Sequence, residues 1–229
     1  CGSSGGVPRL GGNWGDCDPK NPKNSRQRCS LLVQRENRNG TTQVLIDTSP
    51  DMRNQLLDAG VGSLDGVIYT HSHADHVHGL DDLRMIFFNM RTRINVWADQ
   101  STQHDLIERF KYAFVQPAES LYPPILNLNT LEGVTVVEGD GGSVTFIPFK
   151  VKHGNITALG FRIGPLVYLP DVSEMSKAAW DEVAKAKCWV LDALRRNPHP
   201  SHSHLENSLS WIKKSGIEKA VLTNMHVDL

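Results

Sequence analysis

His71-Ser72-His73-Ala74-Asp75-His76 follows directly on an apolar run, Gly66-Val67-Ile68-Tyr69-Thr70, that reads as a buried strand. In extended backbone leaving a strand, residues i and i+2 point the same way, so His71 and His73 can share one metal ion. A turn at Ala74 then lets Asp75 and His76 face a second ion beside the first. Imidazole together with carboxylate suits Zn²⁺, Mn²⁺ or Fe²⁺ and argues against Ca²⁺. Four of the chain's ten histidines fall within eight residues here, the fourth being His78, and a surface loop that is His-rich by chance does not account for that spacing. A two-metal count closes without His78, which is expected beside the ligands or on the surface.

Working outward, Cys29–Arg35 and Thr42–Asp47 read as two strands joined by a turn at Asn37-Arg38-Asn39-Gly40. Asp51–Ala59 reads as a short helix capped by Ser49 or Asp51, with Met52, Leu56 and Ala59 on one face and Gly60 to stop it. Beyond the histidines, Ile94–Ala98 is strand-like, and Ser101–Ala113 is helical with Leu106, Ile107, Phe110 and Phe114 at helical spacing; Pro117–Pro124 is loop. Val134–Val137, Ser143–Val151, Leu159–Ile163 and Leu166–Leu169 run as a meander between Gly-rich turns. The tail alternates helix Met175–Ala186, strand Cys188–Leu191, helix Leu205–Lys214 and strand Ala220–Thr223. Neither an internal repeat nor a linker breaks this order, so residues 1–229 are expected to form one domain with sheets inside and helices outside.

Composition excludes several classes. With 229 residues and roughly 45% apolar content the chain is globular, neither disordered nor collagen-like. No apolar run exceeds four residues, as in Met85-Ile86-Phe87-Phe88, far short of the roughly 18 that a membrane span needs. Twenty-four basic against 25 acidic residues give a net charge of −1, so no global field points to nucleic acid or membrane. Only Pro8–Arg28 departs from this: Arg9, Lys20, Lys23, Arg26 and Arg28 face Asp16 and Asp18, a local balance of +3 that serves equally as a solvated loop. Four cysteines (Cys1, Cys17, Cys29, Cys188) stand far apart with no C-x-x-C pair, which favours a reducing cytoplasm. With no initiator Met before Cys1 and no terminal element at Leu229, both ends read as trimmed, and no signal peptide is legible.

Further on, His153-Gly154 follows a strand, and Tyr168-Leu169-Pro170-Asp171 ends another. Taken alone, His153 reads equally as a loop histidine and Asp171 as a cap or turn residue. Together with Ile46-Asp47-Thr48 and Val221-Leu222-Thr223, in this order around the H-x-H-x-D-H spacing, they resemble the metallo-β-lactamase superfamily along nearly the whole chain. The resemblance implies an α/β fold, an αββα sandwich of two mixed sheets with helices on the outer faces and metals at the sheet edges. It assigns His71, His73 and His153 to one ion, Asp75 and His76 to a second, and Asp171 to both. The family places a His after the Leu-Thr of the last strand, where this chain has Asn224. His226, two residues on, is expected to take that role; the alternatives are Asn224 as a weak ligand or a single-metal site.

Cys1-Gly2-Ser3-Ser4-Gly5-Gly6-Val7-Pro8, Asp171-Val172-Ser173 and Pro198-His199-Pro200-Ser201-His202-Ser203-His204 resemble the branch that holds the phosphoribosyl cyclic phosphodiesterase and, more distantly, the tRNA 3′-end nuclease. That likeness implies a His before the penultimate helix as proton donor to the leaving oxygen. Aligned on the helix start, with Leu205 opening it and Ser208-Leu209 on its inner face, the resemblance puts His202 at that position; the alternatives are His204, or His199, His202 and His204 all as loop residues around Pro198 and Pro200, and Ser203 to Glu206 also form a capping-box pattern. The subgroup's Cys-rich structural zinc site cannot be built from Cys17 alone, so none is expected. The Gly2–Gly6 stretch can cradle a phosphate or simply turn, and Arg84 can reach a phosphate or lie exposed.

The resulting expectation is a cytoplasmic, dinuclear metal-dependent phosphodiesterase using Zn²⁺ or Mn²⁺ (or Fe²⁺), acting on a small, cyclic phosphate ester through a metal-bridging hydroxide. Its partner is a small phosphorylated substrate rather than nucleic acid or membrane, and a homodimer is compatible with it. The alternatives are an RNA-processing nuclease, a thioester or lactone hydrolase of the same fold, and a metal-bound carrier.

Overall fold

The computed structural model describes residues 2–229; Cys1, part of the opening Gly/Ser stretch and one of the four cysteines, lies outside the described residues. Two mixed sheets are present. The first is β1 (Leu31–Asn37), β2 (Gly40–Ile46), β3 (Gly66–Ile68), β4 (Ile94–Ala98) and β5 (Leu126–Thr130), hydrogen-bonded in that order. β1 and β2 are antiparallel and the remaining pairs parallel. The second comprises β6 (Thr135–Val137), β7 (Val144–His153), β8 (Ile156–Ile163), β9 (Leu166–Leu169), β10 (Cys188–Asp192) and β11 (Lys219–Thr223), in the order β11-β10-β9-β8-β7-β6. Here β7, β8 and β9 pair antiparallel, whereas β9, β10 and β11 are parallel. By contacts the chain divides into two compact units, Ser30–Thr145 and Phe146–Leu229 with the N-terminal stretch through Cys29.

In the Ser30–Thr145 unit, β1 and β2 form the expected hairpin, closed where Asn37 pairs with Gly40 and the Asn37 side chain accepts the Asn39 N–H at 2.7 Å. Helix α1 (Met52–Asp58) buries Met52 and Leu56, but Ala59 is its exposed C-cap rather than part of the apolar face. Asp51 is the N-cap without a side-chain cap bond; Ser49 instead accepts the Asp51 N–H and donates to Gln55. The histidine motif runs into α2 (Ala74–Val77), a 3₁₀ turn at Leu80–Asp82 and α3 (Leu83–Met90), none of which the periodicity announced. Pieces of four and eight residues are too short to display a 3.6-residue pattern. α4 (Gln100–Phe114) is capped by Asp99, whose side chain accepts the Thr102 N–H at 2.8 Å. Strand β5, Leu-Asn-Leu-Asn-Thr, was also unmarked, because an edge strand paired on one side tolerates the Asn residues that a buried strand excludes. The core of this unit joins Leu45, Val67 and Val96 of the sheet to Met52, Leu83 and Leu106 of the helices.

In the other unit, β7 runs two residues further than expected and turns at Gly154 and Asn155 into β8, with His153 paired to Ile156. Gly154 has φ +59°, the left-handed geometry that such a two-residue turn needs. His153 thereby becomes the last residue of a strand. α5 (Lys177–Val183) is shorter than Met175–Ala186 and is capped by Ser176, whose side chain accepts the Ala179 N–H. The core here gathers Phe149, Leu169, Leu191 and fully buried Trp189, with Trp180 edge-on to Trp189 at 6.1 Å. α6 (Leu205–Ser215) buries Ser208, but Leu209 is 50% exposed, so it does not share the inner face. Among the described residues no helix is long and apolar enough to cross a membrane.

The turn after α2 depends on a close approach. Gly79 donates its N–H to Thr48 at 3.0 Å, and a Cβ on it would fall 2.0 Å from the Ser49 carbonyl oxygen. Gly79→Ala is therefore expected to destabilise the protein by about 1–3 kcal/mol, a typical overpacking cost. Thermal melts of metal-depleted protein check this, and an unchanged melting temperature would show that the Thr48–Ser49 backbone yields freely.

Candidate metal centre

In the Ser30–Thr145 unit the donors are organised by Asp47. It leaves β2 with φ +62° and is fully buried. Its N–H donates to the Ile68 carbonyl at 2.9 Å. Its carboxylate accepts the Thr70 N–H at 2.8 Å on Oδ1, and on Oδ2 the Thr70 hydroxyl at 2.8 Å and His76 Nδ1 at 2.7 Å. Burial pushes the Asp47 carboxyl up, opposed by His76 and the Thr70 donors. Because the single Thr70 hydroxyl proton goes to Asp47, its oxygen is the acceptor for His71 Nδ1 at 2.9 Å. His71 and His76 therefore both carry their proton on Nδ1 and present Nε2 as the coordinating atom, the arrangement that metal-binding imidazoles favour.

The neighbouring side chains are packed accordingly. The His71 ring lies 4.6 Å from that of His73 and 4.4 Å from that of His76. His76 Nε2 and Asp75 Oδ2 are 3.6 Å apart. Two ligands of a tetrahedral zinc with bonds of 2.0–2.1 Å are separated by about 3.3 Å, so this spacing suits a shared ion. His71 and His76 are buried and His73 is exposed. His78 is exposed, the C-cap of α2, with its ring against Phe110 at 5.8 Å, which places it outside this group.

In the other unit, His153 at the end of β7 donates from Nδ1 to the Ser201 carbonyl at 2.5 Å, which again presents Nε2. Asp171, past the end of β9, has Oδ1 3.9 Å from His153 Nε2 and 3.3 Å from His202 Nδ1. His153, Asp171 and His202 each offer a ligand atom within 4.8 Å of the others. Asp192, the last residue of β10, accepts the Val172 N–H at 3.1 Å and His202 Nδ1 at 2.9 Å on the same Oδ2. Burial pushes the Asp192 carboxyl up to about 7, with His202 opposing and the Asp171 charge adding.

The structure separates the two candidates for the last ligand. Asn224 follows β11 with φ +62°, fully buried, and donates from Nδ2 to Asp171 Oδ1 at 3.0 Å and the Pro170 carbonyl at 3.2 Å. Its Oδ1 is buried with no hydrogen-bond partner among the described residues, a donor oxygen that a cation would satisfy. His226 belongs to none of the ligand groups found among the described residues. An arginine can only donate, so Arg9 Nη2 at 3.1 Å makes His226 Nδ1 an acceptor, and Nε2 donates to Ser4 Oγ at 3.1 Å. Burial and Arg9 hold the His226 imidazole below its usual range. Both ring nitrogens are thus committed away from the cluster, and the expectation that His226 completes the ligand set is not what the structure assembles.

His204 is likewise outside the cluster. It is the N-cap of α6, with no side-chain cap bond, and Ser203 bonds Ser208 and Asn207 instead of closing a capping box with Glu206. In the Gly2–Gly6 stretch, Gly6 N–H donates to Ser3 to close a turn. Arg84 pairs with Asp81 at 2.9 Å and lies over the Tyr112 ring. Cys17 faces the Val227 and Leu229 carbonyls and the Arg26 guanidinium. Sequence reasoning gave Asp47 no role beyond its place in the motif order and missed Asp192. Each follows an apolar strand, in Val44-Leu45-Ile46-Asp47 and Trp189-Val190-Leu191-Asp192, and that common pattern was the available signal.

The donor set, imidazole Nε2 atoms and carboxylates with buried hydrogen-bonding partners, fits divalent transition metals. Elemental analysis should accordingly find metal retained in His226→Ala and lost from His153→Ala and Asp171→Ala. Metal loss from His226→Ala at the same level would return that residue to the ligand set.

Comparison with known proteins agrees. The family model described as the β-lactamase superfamily domain matches residues 42–225. A solved structure described as a new diphosphatase from the PhnP family is 34% identical, with a TM-score of 0.86 over 100% of this chain and 85% of that one. An octanoyltransferase of Porphyromonas gingivalis is 32% identical over 98% of this chain and 44% of its own length. A ribonuclease Z of a Bradyrhizobium species is 30% identical over 61% of this chain and 45% of its own length. The chain thus spans less than half the length of these two curated relatives. With its family match, its two mixed sheets and its His/Asp clusters, the chain belongs to the metallo-β-lactamase superfamily, on the branch that includes the PhnP family.

Proposed function

We propose that this metal-dependent hydrolase is a phosphodiesterase acting on a small, cyclic phosphate ester, with residues 1–229 working as one domain. The observation that carries the reading is His202, held through Nδ1 by buried Asp192 at 2.9 Å and adjoining Asp171 at 3.3 Å. A proton donor beside a cluster of ligand atoms is what cleavage of a phosphate ester with a basic leaving oxygen requires. The description of the 34% identical relative as a diphosphatase supports phosphoryl chemistry.

In this reading His71, His73, Asp75 and His76 of the one unit, and His153 and Asp171 of the other, are metal ligands, and Asn224 Oδ1 stands in for the usual final imidazole. Bound there, Zn²⁺, Mn²⁺ or Fe²⁺ supplies Lewis acidity at the phosphoryl centre and lowers the pKa of water toward neutrality. The chain's own residues do the rest. Asp192 keeps the proton on His202 Nδ1 and fixes the ring, so that Nε2 delivers a proton to the leaving oxygen. An imidazole is suited to this near neutral pH. Four cysteines that stand far apart in the sequence, with no C-x-x-C pair, support a reducing cytoplasm. The net charge of −1 supports a small phosphorylated substrate over a polynucleotide.

A second reading, acyl-ester or thioester chemistry, is favoured by the octanoyltransferase likeness across 98% of this chain. A thiolate leaves without a proton, so His202 would be dispensable there.

Protein loaded with Zn²⁺ or Mn²⁺ and assayed on cyclic, linear and nucleoside phosphodiesters, RNA, thioesters and lactones is expected to turn over the cyclic phosphodiesters best. Loss of His202 should keep the metal and lower the rate on an alkyl or ribosyl phosphodiester by about 10²–10⁴-fold, but much less on a p-nitrophenyl ester. Thioester turnover indifferent to His202→Ala would transfer the assignment to the second reading. Metal content should approach two equivalents per chain; one equivalent after refilling would show that Asn224 does not sustain the second site.

A further inference from the structure

Between β3 and α2, residues 69–73 belong to no strand or helix, yet they carry His71 and His73. Their backbone is tied down at both ends. Tyr69 N–H donates to the Trp97 carbonyl at 2.9 Å and Thr70 N–H to Asp47, while the His73 carbonyl accepts the His76 N–H at 2.9 Å. The middle, Ser72, is held from elsewhere. Its hydroxyl donates to Asp105 Oδ2 and its carbonyl accepts from Arg109 Nη1, so two side chains of α4 occupy both polar groups. Asp105 and Arg109 stand one helical turn apart and face each other at 3.6 Å. In extended backbone a residue's side chain points opposite to those of its two neighbours, so a grip on Ser72 holds the loop without competing for the direction His71 and His73 use. The Asp105 carboxylate is committed to this grip, although it groups on the helix surface with His104 and Glu108.

We propose that Asp105 and Arg109 are positioning residues of the metal centre: by clamping Ser72 they pre-set the two imidazoles on either side of it for one ion. The inference rests on reading His71 and His73 as ligands. An ion tolerates only small errors in ligand placement, and a loop that must be ordered on binding takes up metal more weakly than one already in place. Neither charged residue needs to touch the ion for this. Lost partners of this kind typically weaken metal affinity about 10–100-fold.

The test is zinc affinity of metal-depleted protein, measured in competition with a chromophoric chelator, beside the melting temperature of the same metal-free samples. Asp105→Asn, Arg109→Gln and Ser72→Ala are expected to bind Zn²⁺ about 10-fold or more weakly. Arg109→Lys, which keeps a donor, is expected to recover part of the loss, with metal-free melting temperatures close to that of the unsubstituted protein. Unchanged affinity in Asp105→Asn and Arg109→Gln would overturn the proposal. So would a loss that tracks an equal fall in metal-free stability, since the pair would then merely support the fold. Failure of the unsubstituted protein to bind zinc is a separate result, which removes the metal-centre reading itself and the clamp with it.

Discussion

A carboxylate buried without water must be met by donors on every side, and Asp47 imposes that requirement on the Ser30–Thr145 unit. It sits in left-handed backbone at the end of β2 and collects an amide, a hydroxyl and an imidazole from two other segments of the chain. Breaking one partner of such a buried pair typically costs about 3–5 kcal/mol, because the remaining charge is left unsatisfied. The exit of β3, the tautomer of His71 and the placement of His76 on α2 all follow from satisfying this one side chain. The backbone strain at Asp47 is tolerated because these contacts over-determine its position.

The other unit repeats the device with different residues. Asp192 ends β10, takes the amide of Val172 just beyond the neighbouring strand β9, and binds Nδ1 of His202. In both units a parallel pair of strands brings a buried carboxylate next to the backbone leaving the adjacent strand, and that carboxylate then orients an imidazole. The chemistry differs in what surrounds the ring. His76 has the acidic side chain of Asp75 beside Nε2, whereas His202 has Asp171 and Asn224 beside Nδ1. The first arrangement sets a carboxylate beside the ring's outward nitrogen, and the second sets one beside the nitrogen that Asp192 already holds.

Asn224 and His226 show how two residues of displacement change a role. Left-handed backbone at Asn224 turns its amide onto Asp171. Two positions later the chain has joined the N-terminal stretch, where Arg9 and Ser4 occupy both nitrogens of His226. An imidazole is the better ligand in isolation, yet among the described residues it is the amide that adjoins Asp171.

The sequence by itself determined the order of most elements, the hairpin at Asn37–Gly40 and the metal-binding character of the chain. These follow from local rules: strand periodicity, turn chemistry and the spacing of imidazoles leaving a strand. For the histidines before α6 it offered His202 and His204, and the contact of His202 Nδ1 with Asp171 at 3.3 Å belongs to the tertiary structure. It did not mark the short helices after His73, the edge strand β5, or the roles of Asp47, Asp192, Asp105 and Arg109. Only the tertiary structure decided those, because a lone Asp after a strand or an Asp/Arg pair on a helix looks like any surface residue until the segment it contacts is known. For the same reason it alone separated Asn224 from His226: which of the two side chains meets Asp171 depends on contacts with segments far away in sequence, Pro170 and Asp171 for Asn224, Ser4 and Arg9 for His226.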